Sequence, residues 1–230
     1  MRSPRLRVPL RSIWRALRIV GICVLSYLGL CAMLTIAYRW VDPPVTAVHV
    51  QRWVELGRTE GYDFRYAPRD LAAISDHVEH AVVAAEDGRF YTHNGFDWTE
   101  IQKAYDEYRS GERRRGASTI SQQVARNLFL GTWRSPIRKG LEIPFTAWLE
   151  FVLPKDRILE LYLNIAEWGP AGIFGVEAAA QYHYNRSAAE VSRAQAARLA
   201  AILPSPRTRR PQEMHRYSGI IERRMTQMGW

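Results

Sequence analysis

Cysteine is almost absent from this chain of 230 residues. Its two cysteines, Cys23 and Cys31, both lie in one apolar stretch near the N-terminus. The remainder can therefore form neither a disulfide framework nor a cysteine-based metal site, and we interpret the two thiols as small side chains that tolerate lipid. Internal repeats at solenoid periods are also lacking, as is any series of alternating strands. These absences favour a mainly α fold.

Charge is missing from the 20 residues Ile19–Tyr38. As a helix, this stretch spans roughly the 30 Å hydrocarbon core of a bilayer. Acidic residues are missing ahead of it, where six arginines occur: Arg2, Arg5, Arg7, Arg11, Arg15 and Arg18. The positive-inside rule then predicts a basic cytoplasmic tail over 1–18, a transmembrane helix over 19–38, and all later residues outside. A cleaved secretory signal is the alternative, but no small-residue cleavage site follows.

The formal net charge of +9 comes mostly from that arginine-rich tail. Beyond it, 26 basic residues face 23 acidic ones. The excess charge therefore favours contact with anionic lipid and argues against a nucleic-acid partner. Asp42-Pro43-Pro44 predicts the end of the transmembrane helix, and residues 39–67 are interpreted as a juxtamembrane linker. Residues 68–230 are long enough for a domain with its own core.

Helical periodicity dominates the predicted domain. Apolar residues recur at spacings of three and four over Leu71–Ala85, which predicts a helix whose C-terminal end delivers Glu86. Asp97 followed by Glu100 resembles a capping box that opens a helix to Tyr108.

Two further N-terminal signals follow. Ser118 or Thr119 can cap a helix to Leu130, and Ser135-Pro136 supplies a cap and a proline at the first helical position of another. Pro144 is expected to kink that second helix or delay its start. Later helices are predicted over 156–164, 175–184, 192–202 and 212–228.

Glu86-Asp87 is the first candidate for chemistry. The helix dipole disfavours acids at a helix C-terminus, so their position there indicates a function, although an isolated pair of acids is often only solvated. Residues 116–127 then bring hydroxyls, amides and a cation into one segment, a set suited to sugar hydroxyls and phosphate oxygens. That segment lacks a Gly-x-Ser-x-Gly elbow, which argues against a serine nucleophile.

Arg138, Lys139 and Glu142 stand at helical spacings of four and three, the pattern of an ordinary ion pair when taken alone. Lys155 lies near a helix start, where a cation gains nothing from the dipole. The Arg113–Arg115 run is interpreted as a solvated turn, with a phosphate-facing role as the alternative. His77 and His80 lack an HExxH pattern, so no metal site is expected.

Five ordered motifs resemble one known family. They are EDGRFYTHNG from Glu86, GASTISQQVARNLFL from Gly116, RKGLE from Arg138, KDRILELYLN from Lys155 and GIFGVEAAAQYHY from Gly172. The chain resembles the peptidoglycan glycosyltransferases, which occur as membrane-anchored monofunctional enzymes and as the first catalytic domain of bifunctional penicillin-binding proteins. The N-terminal anchor resembles the monofunctional type. The resemblance implies a lysozyme-like, mainly α domain with two lobes and a cleft that faces the membrane.

The resemblance also implies an activity, the polymerisation of lipid II into glycan strands. Glu86 would be the general base that deprotonates the 4-hydroxyl of the acceptor GlcNAc. That oxygen would displace undecaprenyl diphosphate from the donor with inversion, so that an α link becomes a β-1,4 bond. A lysozyme-like hydrolase is the nearest alternative, but it has no evident need for several cations. A catalytically inactive scaffold would not need both acids.

Glu142 matches the second acid of the family. Because the diphosphate is a good leaving group, charge neutralisation is expected to matter more than protonation. Glu142 would then orient cations or share a divalent ion with the phosphates. The expected clamp on the diphosphate is Arg126, Arg138, Lys139 and Lys155. The expected donor-binding residues are Ser118, Thr119, Gln122, Gln123 and Asn127, and the expected cleft residues are Asp87, Phe90 and His93.

No tightly bound cofactor is expected, and the sequence leaves open whether magnesium or manganese assists the diphosphate. The implied partners are lipid II, the nascent glycan strand, membrane lipid and other cell-wall synthesis or division proteins, with no nucleic acid. The implied location is the bacterial inner membrane, with a single pass, a cytoplasmic N-terminus and a periplasmic catalytic domain. Tyr184-Asn185-Arg186 stands where the family more often has Phe-Gly-Lys, which leaves that loop's conformation open.

Overall fold

The computed structural model describes residues 10–111 and 116–230. Arg2, Arg5, Arg7 and the Arg113–Arg115 run, with its proposed phosphate-facing role, lie outside the described residues. In chain order the helices are α1 (Leu10–Ala37), α2 (Ala47–Leu56), α3 (Asp76–Glu86), α4 (Trp98–Arg109), α5 (Ile120–Ala125), α6 (Pro136–Val152), α7 (Lys155–Ile165), α8 (Val176–Tyr184), α9 (Arg193–Ile202) and α10 (His215–Gln227). The strands are β1 (Arg65–Tyr66) and β2 (Ile173–Phe174). The fold is mainly α, as predicted.

Helix α1 is long and apolar enough to cross a membrane. It begins nine residues ahead of the predicted span, at Leu10 rather than Ile19. One face of α1 packs on the domain, where Cys31 and Thr35 are buried, and the Trp148 indole of α6 donates a hydrogen bond to the Ala32 carbonyl (3.3 Å). The opposite face leaves apolar side chains exposed. A helix of this kind can contact lipid and the domain at once.

The segment expected to be a linker is folded onto the domain, so that prediction is wrong for α2 and β1. β1 pairs in parallel with β2, with Arg65 opposite Ile173. Arg52 of α2 forms a salt bridge with Glu167 (2.9 Å). The His49 ring packs on Phe174 with their centroids 4.4 Å apart. The linker prediction failed because the partners of these residues lie more than 100 positions further along the chain.

The core joins two groups of packed helices. α3, α9 and α10 pack together, and α5 packs against both α6 and α7. Between them, large side chains such as Tyr162 and Trp168 are almost fully buried. This arrangement holds the C-terminal end of α3 and the first turn of α5 in fixed positions.

Local signals place most helix ends as predicted. Ser135 caps α6 and Pro136 is its first residue. The helix continues through Pro144, so the expected late start is wrong. A proline removes only the backbone bond to residue 140, and the capped turns before it remain intact. α8 ends at Asn185, which adopts the left-handed conformation (φ 52°, ψ 45°) that a C-terminal glycine often provides.

The helix predicted from Ser118 or Thr119 to Leu130 is built in two parts. Thr119 begins α5 with a capping box, in which its hydroxyl accepts from the Gln122 amide and the Gln122 side chain accepts from the Thr119 amide. The chain then widens into a π-helix over Arg126–Leu130. The Gly131 amide closes it by donating to the Arg126 carbonyl, five residues back (2.8 Å).

Candidate active site

Glu86 ends α3 as a partly buried carboxylate held by an amide. The Gln123 side chain donates a hydrogen bond to Glu86 Oε2 (2.8 Å). Burial raises the pKa of the Glu86 carboxyl, while the Gln123 bond and the Arg126 charge oppose that rise. A carboxylate with a raised pKa is suited to accept a proton near neutral pH.

Gln123 links Glu86 to two further side chains. The buried Tyr162 hydroxyl donates to Gln123 Oε1 (3.2 Å), and Arg126 Nη2 lies 3.5 Å from the same oxygen. Arg126 also donates through Nε to Asn127 Oδ1 (3.3 Å). Tyr162 belongs to an apolar stripe in the sequence, and such a pattern carries no signal of its hydroxyl's partner. The structure adds that hydroxyl to the site.

Glu142 is buried and paired with two cations. Arg138 donates to Glu142 Oε1, and Lys139 Nζ lies 2.7 Å from Glu142 Oε2. Lys139 also donates to the Ser118 hydroxyl (3.1 Å). Both oxygens of Glu142 are therefore engaged, and the carboxylate fixes the two cations beside the first turn of α5.

Arg126 lies near both acids. Burial lowers the pKa of the Arg126 guanidinium, while Tyr162, Glu142 and Glu86 act in the opposite direction. One guanidinium thus interacts electrostatically with both carboxylates. Around the acids, Gln123 joins Glu86 to Arg126, and Glu142 pairs with Arg138 and Lys139.

A cavity of about 380 Å³ opens beside Glu86. It is lined by Glu86, Asp87 and Ser118, together with residues of α4 and α10. The Ser118 hydroxyl also accepts a hydrogen bond from Lys139 (3.1 Å), a cation of the Glu142 group. The cavity therefore extends from the Glu86 carboxylate to the hydroxyl that Lys139 contacts, while Arg126, Arg138 and Lys139 lie outside its lining.

The other predicted donor and cleft residues have structural partners. Thr119 and Gln122 bond each other in the capping box, and the Thr119 hydroxyl also donates to the Gly95 carbonyl (2.7 Å). Asp87 lies 2.9 Å from His93 Nε2 and accepts from the Ile120 amide (3.0 Å). The ring of Phe90 is fully buried. These side chains fix the first turn of α5 against the end of α3.

Asp87, His93 and Asp97 each offer one possible metal-ligating atom, all within 4.8 Å of one another. Both carboxylates already take part in hydrogen bonds: Asp87 with His93 and the Ile120 amide, and Asp97 with the Glu100 amide (2.9 Å) and Arg89. The Nδ1 atom of His93 is buried without a hydrogen-bond partner.

Lys155 has contacts other than those expected of a diphosphate clamp. Its ammonium lies 2.7 Å from Glu150 Oε1 and 4.5 Å from the centre of the Phe90 ring. The Ser121 hydroxyl donates to the same Glu150 oxygen. Lys155 opens α7 and Glu150 lies in the last turns of α6, so the pair closes the turn between them. We therefore separate Lys155 from the group around Glu142.

Comparison with known proteins identifies the family of this chain. The model of the transglycosylase family matches residues 55–228. A biosynthetic peptidoglycan transglycosylase of Rhodopseudomonas palustris (strain TIE-1) is 49% identical over 195 residues, covering 85% of this chain and 80% of that protein. One from Chromohalobacter salexigens is 46% identical over 220 residues, or 94% of each chain. One from Rhodospirillum centenum is 45% identical over 215 residues, covering 92% and 91%. The chain belongs to the transglycosylase family and is a glycosyltransferase.

Proposed function

We propose that this glycosyltransferase polymerises lipid II, an undecaprenyl-diphosphate-linked disaccharide pentapeptide, into the β-1,4-linked glycan strands of peptidoglycan. Relatives named biosynthetic peptidoglycan transglycosylases support this substrate class. The apolar helix α1 suits a substrate that is itself held by a lipid. The observation that carries the proposal is the position of Gln123, which donates to Glu86 (2.8 Å) while its side-chain oxygen lies 3.5 Å from Arg126, so that the base and a cation meet in one site.

Glu86 is the proton acceptor in this proposal. It takes the proton of the acceptor's 4-hydroxyl, and the oxygen attacks the anomeric carbon of the donor. The bond from that carbon to the diphosphate breaks, and undecaprenyl diphosphate leaves with the electron pair. One displacement from the opposite face inverts the α link to a β link. Burial of Glu86 favours the proton transfer because it raises the pKa of the carboxyl.

The leaving group carries charge that the site must neutralise. Arg126, Arg138 and Lys139 are the cations held beside Ser118 and Glu142. Arginine can bind phosphate oxygens in a forked geometry, and lysine acts as a point charge. In this arrangement Glu142 orients the cations and does not itself act as the acid.

A divalent ion at Glu142 fits the described residues poorly. Both Glu142 oxygens already accept hydrogen bonds from Arg138 and Lys139. A magnesium or manganese ion would have to displace one of these cations. The proposed chemistry uses only the side chains of the chain.

The proposed location is the inner membrane, with α1 as the single pass and the catalytic domain in the periplasm. The arginines before the apolar span support a cytoplasmic N-terminus. Besides lipid II and membrane lipid, the nascent glycan strand is the proposed partner, and other cell-wall synthesis or division proteins would meet the enzyme there.

Incubating the purified full-length protein with lipid II and separating the products on a gel tests this proposal. We expect a ladder of glycan strands from the wild type and none from Glu86→Gln, whose amide keeps the shape but cannot accept the proton. Glu79→Gln is the matched control, because Glu79 lies on the same helix outside the site. A ladder of undiminished intensity from Glu86→Gln would refute the proposed base. Fragments released from finished cell wall, with no ladder from lipid II, would favour a hydrolase.

A further inference from the structure

The two elements ahead of the domain both contact the π-helix or the turn that ends it. The Tyr27 hydroxyl of α1 donates to the carbonyl of Phe129, 102 residues further along the chain. On α2, Gln51 Oε1 accepts from the amide (2.6 Å) and the hydroxyl (3.2 Å) of Thr132. These contacts come from outside the segments that carry the catalytic motifs.

The geometry of the π-helix and of the turn after it is unusual in two respects. Hydrogen bonds to the fifth residue back widen the turn, and such helices are rare and frequent at functional sites. The turn ends at Gly131, whose φ of 70° favours glycine. A Cβ at Gly131 would lie 2.7 Å from Gln51 Oε1. α2 therefore approaches the turn so closely that a side chain at position 131 would collide with Gln51.

Packing joins the same elements. The Tyr27 ring meets the edge of Phe145 of α6, with centroids 6.5 Å apart, and Phe145 lies 5.4 Å from the Phe129 ring of the π-helix. Phe129 and Phe145 are buried. The membrane-compatible helix is thus in direct contact with the segment that begins at Arg126.

We propose that Tyr27 and Gln51 are positioning residues for the transfer reaction, because Tyr27 holds the π-helix that presents Arg126 and Asn127 to the donor and Gln51 holds the turn that ends it. This rests on the proposed function, in which Arg126 meets the diphosphate. α1 then does more than anchor the enzyme, and α2 does more than connect α1 to the domain. Neither residue touches the reacting atoms, so each acts only through the position of Arg126.

The test uses full-length Tyr27→Phe and Gln51→Met in liposomes, which leaves the anchoring of the chain intact. Each variant loses one hydrogen-bonding group, so we expect kcat/KM for lipid II to fall about fivefold, mainly through KM. The acidic limb of the pH profile should also move to higher pH, since Arg126 opposes the rise of the Glu86 pKa. A merely structural role would leave that limb in place. The double variant should lose less than the product of the two single losses, because both bonds hold one helix.

Thr35→Val is the matched control. Thr35 is a buried hydroxyl on α1 that donates to the Cys31 carbonyl of its own helix (2.9 Å). We expect this variant to keep kcat/KM within about twofold of the wild type.

Hydrogen exchange of residues 126–131 without substrate separates this inference from the proposed function. Faster exchange is expected in Tyr27→Phe and Gln51→Met, and unchanged exchange in Thr35→Val. If the wild type forms strands while both variants keep its kcat/KM, pH profile and exchange, the positioning role is refuted. If the wild type forms no strands, the proposed function fails, while the exchange result still decides whether these residues hold the π-helix.

Discussion

Gln123→Leu tests two roles of the side-chain amide at the centre of the site, one in stability and one in the pH dependence of the reaction. Gln123 donates to Glu86 and accepts from Tyr162. Leucine keeps the approximate volume but removes both bonds. The buried Tyr162 hydroxyl then loses its partner, at a cost of about 1–3 kcal/mol in the free energy of unfolding. For a chain of this size that cost corresponds to a fall in Tm of roughly 2–10 °C.

The same substitution changes the pH dependence of the reaction. The Gln123 bond lowers the pKa of Glu86, so its loss raises that pKa further. At pH values below the new pKa a smaller fraction of Glu86 can accept a proton. Strand formation should therefore fall more at acidic pH than at alkaline pH.

Initial rates on lipid II between about pH 5 and 9 would measure this effect, with calorimetry for the stability. Gln102→Leu is the matched control, since the exposed Gln102 donates to the exposed Asp106 of its own helix (3.0 Å). We expect the control to keep the wild-type pH profile and Tm. An equal loss of rate at every pH in Gln123→Leu would refute the proposed coupling of Gln123 to Glu86.

Two further predictions concern stability. Lys155→Ala leaves the buried Glu150 carboxylate without its cation, so chemical denaturation should show that the free energy of unfolding falls by about 2–4 kcal/mol. Adding Glu150→Gln to the same chain should partly restore it. No loss of stability would limit Lys155 to a surface role. Burial lowers the pKa of His49 to about 4 from 6.5. As the pH falls, His49 is protonated in the unfolded chain before it is protonated in the folded one. The free energy of unfolding should therefore decline below about pH 6.5, by roughly 3 kcal/mol in total at pH 4. His49→Phe should flatten that part of the stability curve, and an unchanged curve would contradict the assignment.

Local signals made much of the helical fold predictable. Thr119, Ser135 and Ser192 cap helices where short polar side chains precede apolar periodicity. The acids and cations of the site were found because ordered motifs place them at fixed spacings. Asn185, which stands where the family more often has glycine, adopts the left-handed conformation that asparagine tolerates.

What sequence reasoning missed depends on distant partners. His49 is buried against Phe174, and nothing near it in the sequence indicates that contact. Lys155 was interpreted as a clamp because its position at a helix start needed a reason, and its ion pair with Glu150 supplies one. The π-helix and the turn after it are contacted by Tyr27 of α1 and Gln51 of α2, which lie far from them in the sequence. No local periodicity predicts such a segment.

In the proposed reaction Glu86 moves a proton while Arg126, Arg138 and Lys139 hold the donor. Lipid II binding and turnover, measured on the same preparation of Glu86→Gln, distinguish these two roles. We expect a Kd within about threefold of the wild type with turnover lost, because the substitution leaves the cation contacts intact. Retained turnover, or binding lost together with turnover, would contradict this division of roles.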